Sequence, residues 1–258
     1  MPEPINTFED FKLNRQILNA IEERGYDTPT PIQVKAIPLI MAGHDVMGVA
    51  QTGTGKTAAF VLAMANYLLE NPAPSSRKKN HPRALVLSPT RELAIQIHKD
   101  ALAIGQHTDL KLGLAYGGTG YEQQRQQIED GVDILIGTPG RIIDYFKQHV
   151  FDLKACQCVV LDEADRMFDL GFIKDIRYLL NRCPDPTKRL SLLFSATLSH
   201  RIGELAYDHM NDPEEVRIQA DTKTADKVKQ TVYYPANDEK IPLLLGLMKS
   251  LDSTRSIV

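Results

Sequence analysis

The sequence predicts an α/β fold, a parallel sheet covered by helices on both faces, from three observations. Short β-branched or leucine-rich runs recur along the chain, bounded by Gly, Pro, Ser or Asp, as strands buried on both faces do. Segments of helical periodicity separate these runs, so strand and helix alternate. The first run leads through a glycine-bent turn directly into a helix, the setting in which backbone N–H groups gather around a phosphate.

In chain order, helices are predicted near residues 14–23 and 32–41, joined by a Pro- and Thr-rich turn at 28–31. Strands follow at 46–49, 84–87, 112–115, 134–136, 159–161 and 192–194, with helices such as 57–69 and 92–103 between them. Residues 71–81, rich in Pro, Ser, Lys and Arg, read as an exposed loop of disorder-prone composition. Its Arg77, Lys78 and Lys79 are read as solvated rather than as an RNA contact. Past Pro213 the composition shifts, and 221–229 is polar, charged and without apolar period, as linkers are. A strand at 230–234, a helix at 241–251 and the start of another strand at 257–258 follow, too little to enclose a core. The predicted organisation is a domain at 1–218, a linker at 219–229 and the truncated opening of a second domain at 230–258.

Net charge is −3 over 258 residues, which excludes a protein held on nucleic acid by overall charge and leaves only a local patch. The three cysteines, Cys156, Cys158 and Cys183, imply no disulfide framework and fit a reducing, cytoplasmic compartment. Cys156 and Cys158 lack the further ligands that a metal site requires and read as buried strand thiols. No apolar run reaches the ~18 residues of a membrane span, and residues 1–10 lack the features of a signal peptide.

Residues 50–57 read Ala-Gln-Thr-Gly-Thr-Gly-Lys-Thr. Gly53 and Gly55 let the backbone turn its N–H groups toward phosphate oxygens. Lys56 reaches the β- and γ-phosphates, and Thr57 places its hydroxyl on Mg²⁺. Gln51, Thr52, Thr54 and Ala58 complete the predicted nucleotide-binding turn. Its first position is Ala50 where the general pattern has glycine. Residues 159–165 read Val-Val-Leu-Asp-Glu-Ala-Asp, an apolar strand ending in carboxylates. Asp162 would hold Mg²⁺, largely through water, and Glu163 would deprotonate an attacking water. Lys56, Asp162 and Glu163 are therefore the predicted catalytic set. An ordinary acidic helix start is the plainer alternative for 162–165. It loses because the two motifs together complete one metal–triphosphate site.

Asp162-Glu163-Ala164-Asp165 is the signature of DEAD-box RNA helicases, and the chain resembles that family from about Phe8 to its end. Residues 25–33 are similar to the family's Q motif, Pro89-Thr90-Arg91-Glu92-Leu93 to motif Ia, Thr138-Pro139-Gly140-Arg141 to motif Ib and Ser195-Ala196-Thr197 to motif III, with Gly117-Gly118 between Ia and Ib. Residues 110–121, 133–145 and 165–178 look most like bacterial members that work in RNA-degrading assemblies. The resemblance implies an N-terminal RecA-like domain that uses ATP and Mg²⁺. Gln33, whose carboxamide matches adenine's donor and acceptor, would select ATP, with Tyr26, Thr28 and Phe8 beside the base. For Phe8, ordinary packing is an equal alternative. Pro89, Thr90, Arg91, Gly117, Gly118, Thr138, Pro139, Gly140 and Arg141 would hold the RNA backbone with little sequence preference. Few aromatics are expected near them, arguing against base stacking. Asp165, Ser195 and Thr197 would couple hydrolysis to strand separation. The arginine finger is expected from a second RecA-like domain, so this chain alone should bind nucleotide and hydrolyse it barely. A DNA-translocating P-loop motor and an ATP-gated RNA clamp within an assembly are the competing readings.

Overall fold

The computed structural model describes residues 5–218 and 231–250. They fall into two compact units divided between Gln219 and Ala220. The first is built on seven strands: β1 (Val46–Val49), β2 (Ala84–Leu87), β3 (Leu112–Ala115), β4 (Ile134–Gly137), β5 (Cys158–Leu161), β6 (Leu190–Ser195) and β7 (Glu214–Arg217). All pair in parallel, in the order β3-β4-β2-β5-β6-β1-β7.

Two cores clasp this sheet, and the period-2 pleat sorts strand residues between them. Ala84 and Val86 of β2, Ile134 and Ile136 of β4, and Val160 of β5 face one core. It is completed by α1 (Arg15–Glu23), α2 (Pro31–Met41), α3 (Lys56–Glu70) and α4 (Arg91–Ile104). Leu85, Leu87, Leu135, Val159 and Leu161 face the other. There they meet α5 (Tyr121–Glu129), α6 (Pro139–Lys147), α7 (Ala164–Asp169), α8 (Ile173–Leu180) and α9 (His200–His209).

The expected strands and helices of this unit are present, several extended by a residue or two. β7 is an addition to the expectations. Its sequence, Glu-Glu-Val-Arg, buries only Val216, because it closes the sheet edge beside β1 and charges are welcome there. Its start is fixed by Asp45, whose buried carboxylate accepts from the Ser191 and Asn211 backbone N–H groups, each at 2.7 Å.

Residues 71–81 depart from their disorder-prone composition. Arg77 pairs with Asp133 at 2.7 Å and donates to the Val132 and His81 carbonyls. Asn80 donates to the Val150 carbonyl at 3.0 Å. One arginine with several acceptors is enough to hold a loop whose composition carries no core.

In the second unit, α10 (Lys240–Ser250) lies where a helix is predicted. Residues 231–234 form no strand. A strand needs a neighbour for its backbone groups, and the described residues of this unit offer none. Gln230, the segment 219–229, Leu251 and residues 257–258 lie outside the described residues. Among those described, no helix is long and apolar enough to cross a membrane, and Cys156, Cys158 and Cys183 are free thiols.

Candidate nucleotide site and RNA edge

Every motif singled out above, the Q motif apart, sits at the carboxyl end of a strand, where parallel α/β sheets bind ligands. Because strand order differs from chain order, these loops sort spatially. The ends of β3, β4 and β2 carry Gly117-Gly118, Thr138–Arg141 and Pro89–Arg91. The ends of β5, β6 and β1 carry the carboxylates, Ser195–Thr197 and the phosphate loop. The seam between the two halves is the β2–β5 pair.

On the second half, Tyr26, Thr52, Gly53, Gly55, Lys56, Thr57, Ala58, Asp162 and Glu163 line one cavity of about 390 Å³. Gly53 and Gly55 have φ of 80° and 91°, left-handed values that glycine adopts readily and that bend the turn. The Lys56 ammonium is buried and donates to the Ala50 carbonyl, spanning the turn it serves. Gln51 and Thr54 shape the turn from within, the Thr54 hydroxyl donating to the Gln51 carbonyl at 2.8 Å.

Asp162 is 2% exposed. Burial, with Glu163 and Asp165 close by, pushes its carboxyl up to about 7, despite the opposing pull of Lys56. The hydrogen bond it accepts is local: Oδ1 accepts from the Glu163 N–H at 3.0 Å. A buried carboxylate so poorly compensated favours a cation. Among the described residues, no three His, Cys, Asp or Glu side chains are arranged to hold a metal ion by themselves. A hard divalent ion sharing its shell among Thr57, Asp162, water and phosphate fits that donor set. Glu163 itself has φ 48°, unusual for a residue with a Cβ, and its carboxylate lies 3.4 Å from Arg166.

The Q-motif glutamine is used twice. Gln33 Oε1 accepts from the Thr30 N–H at 2.8 Å, capping α2, while Nε2 donates to the Gly55 carbonyl at 3.1 Å. Each atom retains one further hydrogen-bonding position. The Thr30 hydroxyl is buried beside Gly55, at the capping box that opens α2. Phe8 does not reach the cavity. It is 5% exposed and packs on Phe11 and Tyr26, at ring separations of 5.8 and 6.2 Å. Thr28 is exposed and outside the cavity lining.

Three lining residues escaped the sequence reading: Leu93, Gln96 and Asp100 of α4. Their 3- and 4-residue spacing puts them on one helical face, the only signal that could have found them. Asp100 also pairs with Arg24 at 3.2 Å, and Arg24 donates to the Tyr26 hydroxyl.

Behind the carboxylates, Asp165 Oδ2 accepts from both the N–H and the hydroxyl of Thr197, each at 3.1 Å. The Ser195 hydroxyl donates to the Thr197 carbonyl and accepts from the Asp165 N–H. On the first half of the edge, the Thr90 hydroxyl caps α4 by accepting from the Leu93 N–H, while Thr138 and Pro139 open α6. Pro89 and Pro139 are buried, whereas Arg91, Gly117, Gly118 and Gly140 are exposed. The expectation of few aromatics here is corrected: Tyr116, Tyr121 and Tyr145 stand beside the arginines. Arg91 lies 4.8 Å from the Tyr116 ring centre, and Arg141 lies 4.7 Å from Tyr121 and 5.3 Å from Tyr145. In a larger cavity, about 680 Å³ beside α8 and α9, Arg177 is paired with Asp208 at 2.9 Å and His200 lies 3.4 Å from Glu204.

Residues 30–205 match the family described as DEAD/DEAH box helicase. The chain belongs to that family. As a DEAD/DEAH box protein it is 55% identical over 251 residues to the ATP-dependent RNA helicase RhlB of Shewanella piezotolerans, covering 97% of this chain and 57% of that protein. It is also 55% identical to RhlB of an Enterobacter species, covering 97% and 60%. The chain thus spans less than two thirds of these relatives. A crystal structure of a DEAD box protein from Methanococcus jannaschii superposes with a TM-score of 0.75 at 33% identity, covering 95% of this chain and 63% of that one. A hypothetical ATP-dependent RNA helicase from Sulfolobus tokodaii superposes at 0.70 with 35% identity, covering 80% and 57%. This DEAD/DEAH box domain accordingly has the α/β, RecA-like fold.

Proposed function

We propose that this chain is the ATP-binding, N-terminal RecA-like domain of a bacterial ATP-dependent RNA helicase. The observation that carries the reading is the meeting of Lys56, Thr57, Asp162, Glu163 and Tyr26 around one cavity, beside a sheet edge bearing Arg91 and Arg141.

In this reading Lys56 exchanges the Ala50 carbonyl for the β- and γ-phosphates of ATP, and the turn's N–H groups cradle the same phosphates. Gln33 offers its spare donor and acceptor to adenine while its other contacts report on the turn. Glu163 takes the proton of the attacking water. Magnesium, held by Thr57 and through water by Asp162, would offset charge on the β- and γ-oxygens. Arg91, Arg141 and the exposed glycines hold RNA phosphates, giving little sequence preference. Asp165, Thr197 and Ser195 transmit the nucleotide state toward strand separation. A second RecA-like domain supplies the arginine finger, worth ~10³–10⁵ in rate, so the domain alone hydrolyses ATP barely. The protein is cytoplasmic, and its likeness to RhlB supports a place beside a nuclease in RNA degradation.

The deciding experiment is ATP hydrolysis by the full-length protein with and without RNA. Lys56→Ala and Glu163→Gln should each lower the RNA-stimulated rate by about 100-fold or more, Glu163→Gln with ATP still bound. Intact stimulated hydrolysis in both variants would sink the assignment.

A further inference from the structure

The loop joining β3 to α5 has a tyrosine at each end, Tyr116 and Tyr121, with Gly117, Gly118, Thr119 and Gly120 between them. Each tyrosine lies under a different arginine. Arg91, from the end of β2, stands 4.8 Å from the Tyr116 ring centre. Arg141, from the end of β4, stands 4.7 Å from Tyr121. These are cation–π separations. Both tyrosines are themselves fixed. Gln124, buried in α5, accepts from the Tyr116 N–H at 3.0 Å and donates to the Thr119 carbonyl at 2.8 Å, clamping the loop. Tyr145 donates to the Tyr121 carbonyl at 2.6 Å and receives an N–H of Arg141 at 3.2 Å. Gln148 donates to the Tyr121 hydroxyl.

We propose that Tyr116 and Tyr121 are positioning residues for RNA binding, each holding one phosphate-binding arginine by its ring face at a set place on the sheet edge. The proposal rests on reading that edge as the RNA face. A free arginine loses much rotamer entropy when it grips a phosphate. A guanidinium already lying on a ring has lost part of that freedom beforehand, as preorganised binding requires. Stacking engages the flat face of the guanidinium and leaves in-plane N–H groups for a forked grip on phosphate oxygens. The glycines between the tyrosines keep the intervening surface low: a Cβ on Gly118 would stand 3.4 Å from Arg91 Nη1. With one face of each ring engaged by arginine, the proposal assigns these aromatics to backbone rather than base recognition.

The test uses the full-length protein, a short uridine oligomer as single-stranded probe, and RNA-stimulated ATPase fitted for KM of RNA, KM of ATP and kcat. Tyr116→Leu and Tyr121→Leu should each raise KM for RNA by about three- to tenfold, the scale of one cation–π contact, with kcat and KM for ATP unchanged. Tyr116→Phe and Tyr121→Phe, which keep the ring face, should retain most of the RNA affinity. Arg91→Ala and Arg141→Ala run alongside. If the arginine variants lose RNA affinity and the leucine variants do not, the proposal falls while the RNA face stands. If the arginine variants also bind RNA normally, the RNA-face reading itself fails. Phenylalanine variants as weak as the leucine ones, or a parallel rise in KM for ATP, would assign the tyrosines a merely structural role and overturn the proposal.

Discussion

Asp162 carries a conflict between stability and function. Its carboxyl is held up to about 7 by burial and neighbouring acids, against an ordinary value near 4. Between those two values the folded protein keeps a proton that the unfolded chain has released. Stability contributed by this group therefore falls as pH rises from about 4 to about 7, and is level above that. Asp162→Asn should remove the penalty. Without metal or nucleotide, the variant should melt roughly 5 °C or more above the parent near pH 8, with the gap closing toward pH 4. Calorimetry across that range checks it. The same variant should lose magnesium-dependent hydrolysis. A parent as stable as the variant near pH 8 would show that the carboxylate is not strained there.

At the scale of elements, the phosphate turn and α2 are one device. Gln33 links the Thr30 N–H to the Gly55 carbonyl, so the helix cap and the turn move together. A Cβ at Gly55 would meet Gln33 Nε2 at 2.7 Å and Thr30 Oγ1 at 2.8 Å, at φ 91°. Gly55→Ala should thus cost about 1–3 kcal/mol of local strain and weaken ATP binding by about tenfold or more, measured by titration with a fluorescent nucleotide. Gln33→Ala should spare the fold yet raise KM for ATP severalfold. Much at this scale was legible in the sequence. Strands buried on both faces are spelled in Val, Ile and Leu, and the turn by its glycines. β7 was not, since an edge strand buries one side chain and its letters are those of a solvated segment. Nor was the seating of Arg91 on Tyr116, residues 25 apart that meet only because β2 and β3 flank β4. Arg77 shows the opposite failure: composition marked a loose loop, and one guanidinium finding three acceptors tied it down.

At the scale of the whole molecule, the proposed reading has strand order divide one sheet edge between two ligands. The residues read as nucleotide-binding end β5 and β1, with Ser195–Thr197 at the end of β6 between them, and those read as holding the RNA backbone end β3, β4 and β2. The Asp165–Thr197 pair lies on the nucleotide half and does not line its cavity. Ser195→Ala with Thr197→Ala should therefore leave RNA-stimulated hydrolysis within a few-fold of the parent while abolishing duplex separation, read from parallel ATPase and strand-displacement assays. Equal loss of both would mean that the pair supports the fold rather than the coupling.

The seam between β2 and β5 has one more implication. The strands β2, β3 and β4 are consecutive in the chain, so one uninterrupted stretch, from 84 to about 150, builds an entire half of the working edge. Its entrance and exit are stitched together: Arg83 binds Gln157 at 2.7 Å, and Asn80 reaches the Val150 carbonyl. Such a stretch has the anatomy of a cassette, and under the proposed function exchanging it for its counterpart from another DEAD/DEAH box protein should transplant the RNA grip while leaving ATP hydrolysis as it was.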